Sequence, residues 1–234
     1  TSFELGMPFI ETTKRVTTII RHAMQRKNDK VLIITSVTEN EGKSTIASNI
    51  AVSLAHKGNK VVLVDLDGKK PALYKIFGAK YIEKAELGKL LNGEIKRSEF
   101  RLRRYKKSSL SLAINVNAYP DNYLWIESGV AKEVIDALKQ QVDYIIIDTP
   151  PVAVVSDALA LVDKVDGTVI AIRERHANHY DLKKTVSALR FAEAKILGFI
   201  LNDASGEDGT YKYNYKYRYR KTYKYYDYDY NYGE

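Results

Sequence analysis

The sequence predicts a doubly wound α/β fold: a mostly parallel sheet with helices on both faces. Three observations predict it. Short runs rich in β-branched residues recur without polar alternation, helical patterns separate them, and a Gly-Lys-Ser turn follows the first strand. Continuous apolar runs suit parallel strands buried on both faces, and strand–helix alternation implies crossovers that cover both sides.

Taken in order, the chain opens with an amphipathic helix whose stripe is Phe9, Val16, Ile19, Ile20, Ala23 and Met24. That stripe is expected to pack on the sheet or on another subunit. The strands follow as VLIITS (31–36), VVLVDLD (61–67), SLSLAINV (109–116), DYIIID (143–148), GTVIAI (167–172) and KILGFILN (195–202). Helical spacing connects Ile46, Ala47, Ile50, Ala51, Leu54 and Ala55, with Gly58 as the stop, and recurs over 130–140 and 179–193. The run RLRRYKK (101–107) reads as a solvated face with an affinity for anionic lipid. The segment 204–210 (ASGEDGT) reads as a polar hinge. Beyond it lie 11 of the 18 tyrosines: Tyr211, Tyr213, Tyr215, Tyr217, Tyr219, Tyr223, Tyr225, Tyr226, Tyr228, Tyr230 and Tyr232. Tyrosines alternating with polar residues and lacking aliphatic partners cannot build a core, so the tail is expected to be disordered. The expected domains are therefore 1–203 and a flexible tail, 204–234.

Composition narrows the chemistry. A chain of 234 residues buries enough surface to fold without staples, and cysteine is absent, which excludes disulfide scaffolds, cysteine-ligated metals and thiol nucleophiles. Four scattered histidines leave little for a transition-metal site. No run approaches the ~20 apolar residues of a membrane span, so a soluble, cytoplasmic chain is expected. The net charge of +8 favours acidic partners.

TSVTENEGKST (35–45) places Gly42, Lys43 and Ser44 between a strand and a helix, the context a phosphate loop requires. Backbone N–H groups there point at anionic oxygens, Lys43 reaches the β/γ-phosphates, and the Ser44 hydroxyl ligates Mg²⁺. Asp65, Asp67 and Asp148 lie at the carboxyl ends of strands, the edge where such sheets bind ligands. A Mg²⁺ nucleotide site needs a carboxylate in or near its coordination sphere, and Asp148 stands where one belongs. The tail tyrosines read as phosphate acceptors, as base-stacking nucleic-acid contacts, or as a low-complexity end.

TSVTENEGKST, VVLVDLDGKKP and DYIIIDTPP resemble the Walker A, Walker A′ and Walker B motifs of bacterial tyrosine kinases (BY-kinases). These are the cytoplasmic ATP-dependent autokinases of capsular and exopolysaccharide synthesis. SDA (156–158), GFILND (198–203) and the tyrosine cluster extend the likeness, which runs from about Phe9 to the C-terminus. The resemblance implies a Min/Par-like P-loop fold, ATP with Mg²⁺, and tail tyrosines phosphorylated in trans within a ring-like homo-oligomer. It implies that Glu41, Gly42, Lys43, Ser44 and Thr45 bind the nucleotide, with Asn202 at the adenine. Asp65 takes the tyrosine proton beside Lys43, and Ser44, Asp67 and Asp148 hold the metal, the carboxylates through water. The implied partners are a transmembrane activator at the inner face of the membrane and a cognate tyrosine phosphatase, not nucleic acid.

The sequence also departs from the pattern it resembles. Val37 replaces the first glycine of the phosphate loop, Glu39-Asn40 stands where Pro-Gly or a similar turn is usual, and Lys69 replaces an arginine. The E-x-x-R-x-x-R oligomerisation pattern appears as Glu11, Lys14 and Thr17. Two rival readings use the same fold. A partition-type ATPase would carry a signature lysine and two glycines where this chain has Thr38, Glu39 and Asn40, and would leave the tail without a role. A nucleotide-gated, non-catalytic regulator would account for the irregular loop and the basic runs.

Overall fold

All six expected runs form strands in the computed structural model, which describes residues 7–24, 28–152, 159 and 161–204. The strands are β1 (Val31–Ser36), β2 (Val61–Asp65), β3 (Arg103–Arg104), β4 (Leu110–Ala113), β5 (Tyr144–Asp148), β6 (Gly167–Arg173) and β7 (Ile196–Asn202). The helices are α1 (Met7–Ala23), α2 (Lys43–His56), α3 (Leu73–Phe77), α4 (Leu87–Leu91), α5 (Tyr123–Glu127), α6 (Val130–Lys139) and α7 (His179–Phe191). The sheet order is β3-β4-β2-β5-β1-β6-β7, parallel throughout except for the antiparallel β3–β4 pair.

Central β1 shows why the apolar runs lack alternation. Val31 and Ile33 join one core layer with Trp125, Ile135 and Leu189, from α5, α6 and α7. Leu32 and Ile34 join the opposite layer with Ile50 and Leu54 of α2 and Leu73 of α3. All four are fully buried, each worth ~1.5–3 kcal/mol of transfer free energy. Asp166 fixes the start of β1 beside β6 by accepting the Lys30 and Val31 N–H groups, both at 2.8 Å. The Lys30 ammonium donates to the carbonyls of Lys139 and Val142, where a cation complements the end of α6.

Three expectations change. Helix α1 packs on the α2 side through Ile20 and, just past its end, Met24, but Ile19 (59% exposed) and Ala23 lie outside the buried stripe. The basic run 101–107 is not merely a solvated face, because Arg103–Arg104 forms an antiparallel edge strand. Strand β2 stops at Asp65, two residues short of Asp67. The expectations for the hinge after Ala204, for the tyrosine tail and for 156–158 lie outside the described residues.

Candidate active site

The phosphate loop leaves β1 at Ser36 and enters α2 at Lys43. Asn40 (φ 62°) and Gly42 (φ 85°) supply its left-handed turns. Asn tolerates that conformation, so the Glu39-Asn40 sequence still closes the loop. Buried Glu41 braces it from within: its carboxylate accepts the N–H of Thr38 at 2.7 Å and of Arg173 at 3.4 Å. From the end of β7, Asn202 Nδ2 donates to the Glu41 carbonyl at 3.1 Å. It packs so closely that a Cβ on Gly42 would collide with the Asn202 carboxamide. The result is a fixed loop at the N-terminus of a 14-residue helix, where unpaired N–H groups and the helix dipole favour an anion.

Strand register then delivers the carboxylates. Asp65 of β2 pairs level with Asp148 of β5, and Asp148 is level with Ile34 of β1, just before the loop. Past the strand end, the Asp67 N–H donates to Asp65 Oδ1 at 3.1 Å. Lys43 Nζ lies 2.6 Å from Asp67 Oδ2 and 3.8 Å from Asp148 Oδ1, and donates to Ser44 Oγ at 3.4 Å. Lys43, Ser44 and the three aspartates are all buried.

Three carboxylates thus share one lysine. Burial pulls the Lys43 ammonium toward neutrality, but Asp148 and Asp67, with help from Asp65, outweigh it and hold the charge more firmly than usual. Burial pushes Asp65 well above the usual carboxylate range, reinforced by Asp148 and Asp67 and opposed by Lys43. Burial also raises Asp148, against the pull of Lys43. Asp65 Oδ2 and both Asp148 oxygens accept no hydrogen bond. Buried acceptors without donors cost free energy until a ligand satisfies them. Among the described residues no group of three or more His, Cys, Asp or Glu is spaced to hold a metal directly. A hard cation that keeps its waters and leans on one or two carboxylates is the ion such a donor set suits.

The structure therefore brings Gly42, Lys43, Ser44, Asp65, Asp67, Asp148 and Asn202 to one edge of the sheet. Thr45 is half-buried in the first turn of α2, where its carbonyl accepts from Asn49 Nδ2 at 2.7 Å. Glu11 and Lys14 are exposed on α1, whereas Thr17 is buried, its hydroxyl bonded to the Thr13 carbonyl at 2.7 Å. The eleven tail tyrosines lie outside the described residues. Sequence reasoning missed the residues that steady the aspartates. Buried Asn115 donates to the Asp65 carbonyl at 3.1 Å and buried Asn122 to that of Leu66 at 3.2 Å. An asparagine at the end of a strand was the available signal for Asn115.

Comparisons with known proteins point to one family. A family model described as "ParA: NUBPL iron-transfer P-loop NTPase" matches residues 27–209. The tyrosine-protein kinase CpsD of Streptococcus agalactiae serotype Ia is 31% identical over 185 residues, 79% of this chain and 79% of its own. The tyrosine-protein kinase YwqD of Bacillus subtilis is 31% identical over 194 residues, 82% of this chain and 80% of its own. Among solved structures, the chimerical protein CapA2B2 has a TM-score of 0.77 at 27% identity, covering 86% of this chain and 88% of that one.

Proposed function

The chain belongs to the bacterial tyrosine kinases within the ParA-type P-loop NTPases, and from that premise we propose that it phosphorylates the tyrosines of its own C-terminal tail in trans, with Mg-ATP as donor. The reaction serves to regulate the polymerisation and export of a capsular or exopolysaccharide. The observation that carries this reading is the meeting of Lys43 with buried Asp67 and Asp148 beside the phosphate loop, with Asp65 level with Asp148 and oxygens of both Asp65 and Asp148 lacking donors.

Magnesium-bound ATP supplies the phosphoryl group and the positive charge that the carboxylates face. The chain's own residues do the rest. Loop N–H groups at the start of α2 and the Lys43 ammonium stabilise charge on the transferring group, which is where catalysis of phosphoryl transfer chiefly lies. Ser44 Oγ, with Asp67 and Asp148 through water, would hold the metal. Asp65 Oδ2, which has no donor of its own, takes the phenolic proton as the tyrosine O–P bond forms and the bridging P–O bond of ATP breaks. A base raised above the ordinary carboxylate range is better matched to a phenol of pKa ~10. Asn202, against the loop, is the residue proposed at the adenine.

The working assembly is a ring-like homo-oligomer in which each tail enters a neighbour's site. It sits at the inner face of the membrane beside a transmembrane activator, with a tyrosine phosphatase resetting the tail. Among the described residues no helix is long and apolar enough to cross a membrane. Mass spectrometry after incubation with Mg-ATP should find phosphotyrosine between Tyr211 and Tyr232. Lys43→Met should be unlabelled alone and labelled when mixed with an active, tail-deleted copy. Phosphotyrosine in Lys43→Met alone would sink the phosphate-loop assignment.

A further inference from the structure

Glu39 poses a problem for any anion site built on this loop. It stands three residues before Gly42 and four before Lys43, in the segment whose backbone is arranged for phosphate, and a bare carboxylate there repels the ligand. The structure shows what offsets it. Lys70, 31 residues further along, spans from the segment after β2 and places Nζ 2.8 Å from Glu39 Oε1 and 2.6 Å from Oε2. His176 Nε2 donates to the Glu39 carbonyl at 2.9 Å, so the backbone beneath the carboxylate is anchored too. The Lys70 N–H also donates to Asp67 Oδ1 at 3.3 Å, while Asp67 Oδ2 takes Lys43. One residue thus touches both the carboxylate that opposes anion binding and the carboxylate that holds the site's lysine.

We propose that Lys70 is a positioning residue for the nucleotide site, a built-in counter-ion that holds Glu39 away from the phosphates. This deepens the nucleotide reading above and rests on it. The Lys70 and Glu39 side chains are 69% and 41% exposed, so the pair adds little to stability. Its effect lies in the field felt by a polyphosphate a few ångströms away, which salt screens.

The test is a titration of the full chain with Mg-ADP at 50 and 500 mM salt, using wild type, Lys70→Met, Glu39→Gln and the double variant. Lys70→Met should weaken Mg-ADP binding roughly three- to tenfold at low salt, and the loss should shrink at high salt. Adding Glu39→Gln to Lys70→Met should recover most of the loss, because the repelling charge is gone. A merely structural Lys70 would give no such rescue and no salt dependence. If Lys70→Met binds like wild type, or the double variant is as weak as the single, the inference is overturned while the nucleotide reading stands. Wild-type protein that binds no Mg-ADP overturns both.

Discussion

Replacing Asp65 with asparagine should raise the thermal stability of the nucleotide-free protein while stopping phosphoryl transfer. The register sets Asp65 beside Asp148 on neighbouring strands, which lie ~4.8 Å apart. Two unit charges about 5 Å apart repel by roughly 3 kcal/mol at an effective dielectric of ~20. Lys43 offsets part of this, leaving ~1–2 kcal/mol to be recovered when one charge is removed from a fully buried position. For a domain of this size that corresponds to a rise of ~2–8 °C. Asparagine keeps the Oδ1 that accepts the Asp67 N–H, so no hydrogen bond is lost. The sign with pH follows from the upward shift of Asp65. A carboxyl raised in the folded state binds its proton more tightly there, so wild type gains stability as pH falls from the raised value toward the unfolded value of ~3.9. The advantage of Asp65→Asn should therefore be larger at pH 8 than at pH 5. Melting curves in EDTA at both pH values, beside single-turnover labelling with ATP, measure it. A variant that melts at or below wild type at pH 8, or whose advantage grows on acidification, refutes the electrostatic account of this site.

Other outcomes test neighbouring parts of the argument. Asp148→Asn should lose most of the Mg²⁺ dependence of ADP binding that wild type shows on EDTA treatment, read as two titrations per protein. Gly42→Ala should lower stability by ~1–2 kcal/mol from the left-handed backbone alone and weaken ADP binding further through the collision with Asn202. The tail carries six basic and three acidic residues from Tyr211 onward, a net +3, and each phosphate adds roughly −1.5 to −2 charges. Two or three phosphates reverse its sign, so phosphorylation should dissociate the oligomer, and a tail with all eleven tyrosines changed to Phe should stay associated with ATP present. Equal masses by light scattering before and after labelling would exclude that switch.

The edge of the sheet that carries Lys43, Asp65 and Asp148 was legible in the sequence because its signals are local. A strand that ends in aspartate and a strand followed by Gly-Lys-Ser declare their carboxyl ends without reference to the rest of the chain. Helices α3, α4 and α5, five residues each, are too short to display a helical period, and none was anticipated. Strand β3 hides within a basic run because two residues held at a sheet edge need no apolar pattern. Spacing alone widens the stripe of α1 to Ile19 and Ala23, because a helix read by itself has no neighbour to say where burial ends. The contacts of Lys70, Asn115 and Asn122 join positions 31 to 56 residues apart, and their residue types alone do not announce them.

The 2.6 Å pairing of Lys43 with Asp67 sets an entry condition for the site. A phosphate that draws Lys43 toward itself strips buried Asp67 of its cation. An anion arriving alone therefore meets a lysine already engaged and uncovers a carboxylate in return. A ligand that brings its own divalent cation supplies the carboxylates with a replacement for the lysine it draws off. The site should accordingly select for metal-complexed nucleotide over free nucleotide, and over inorganic phosphate, before any contact with base or ribose is made.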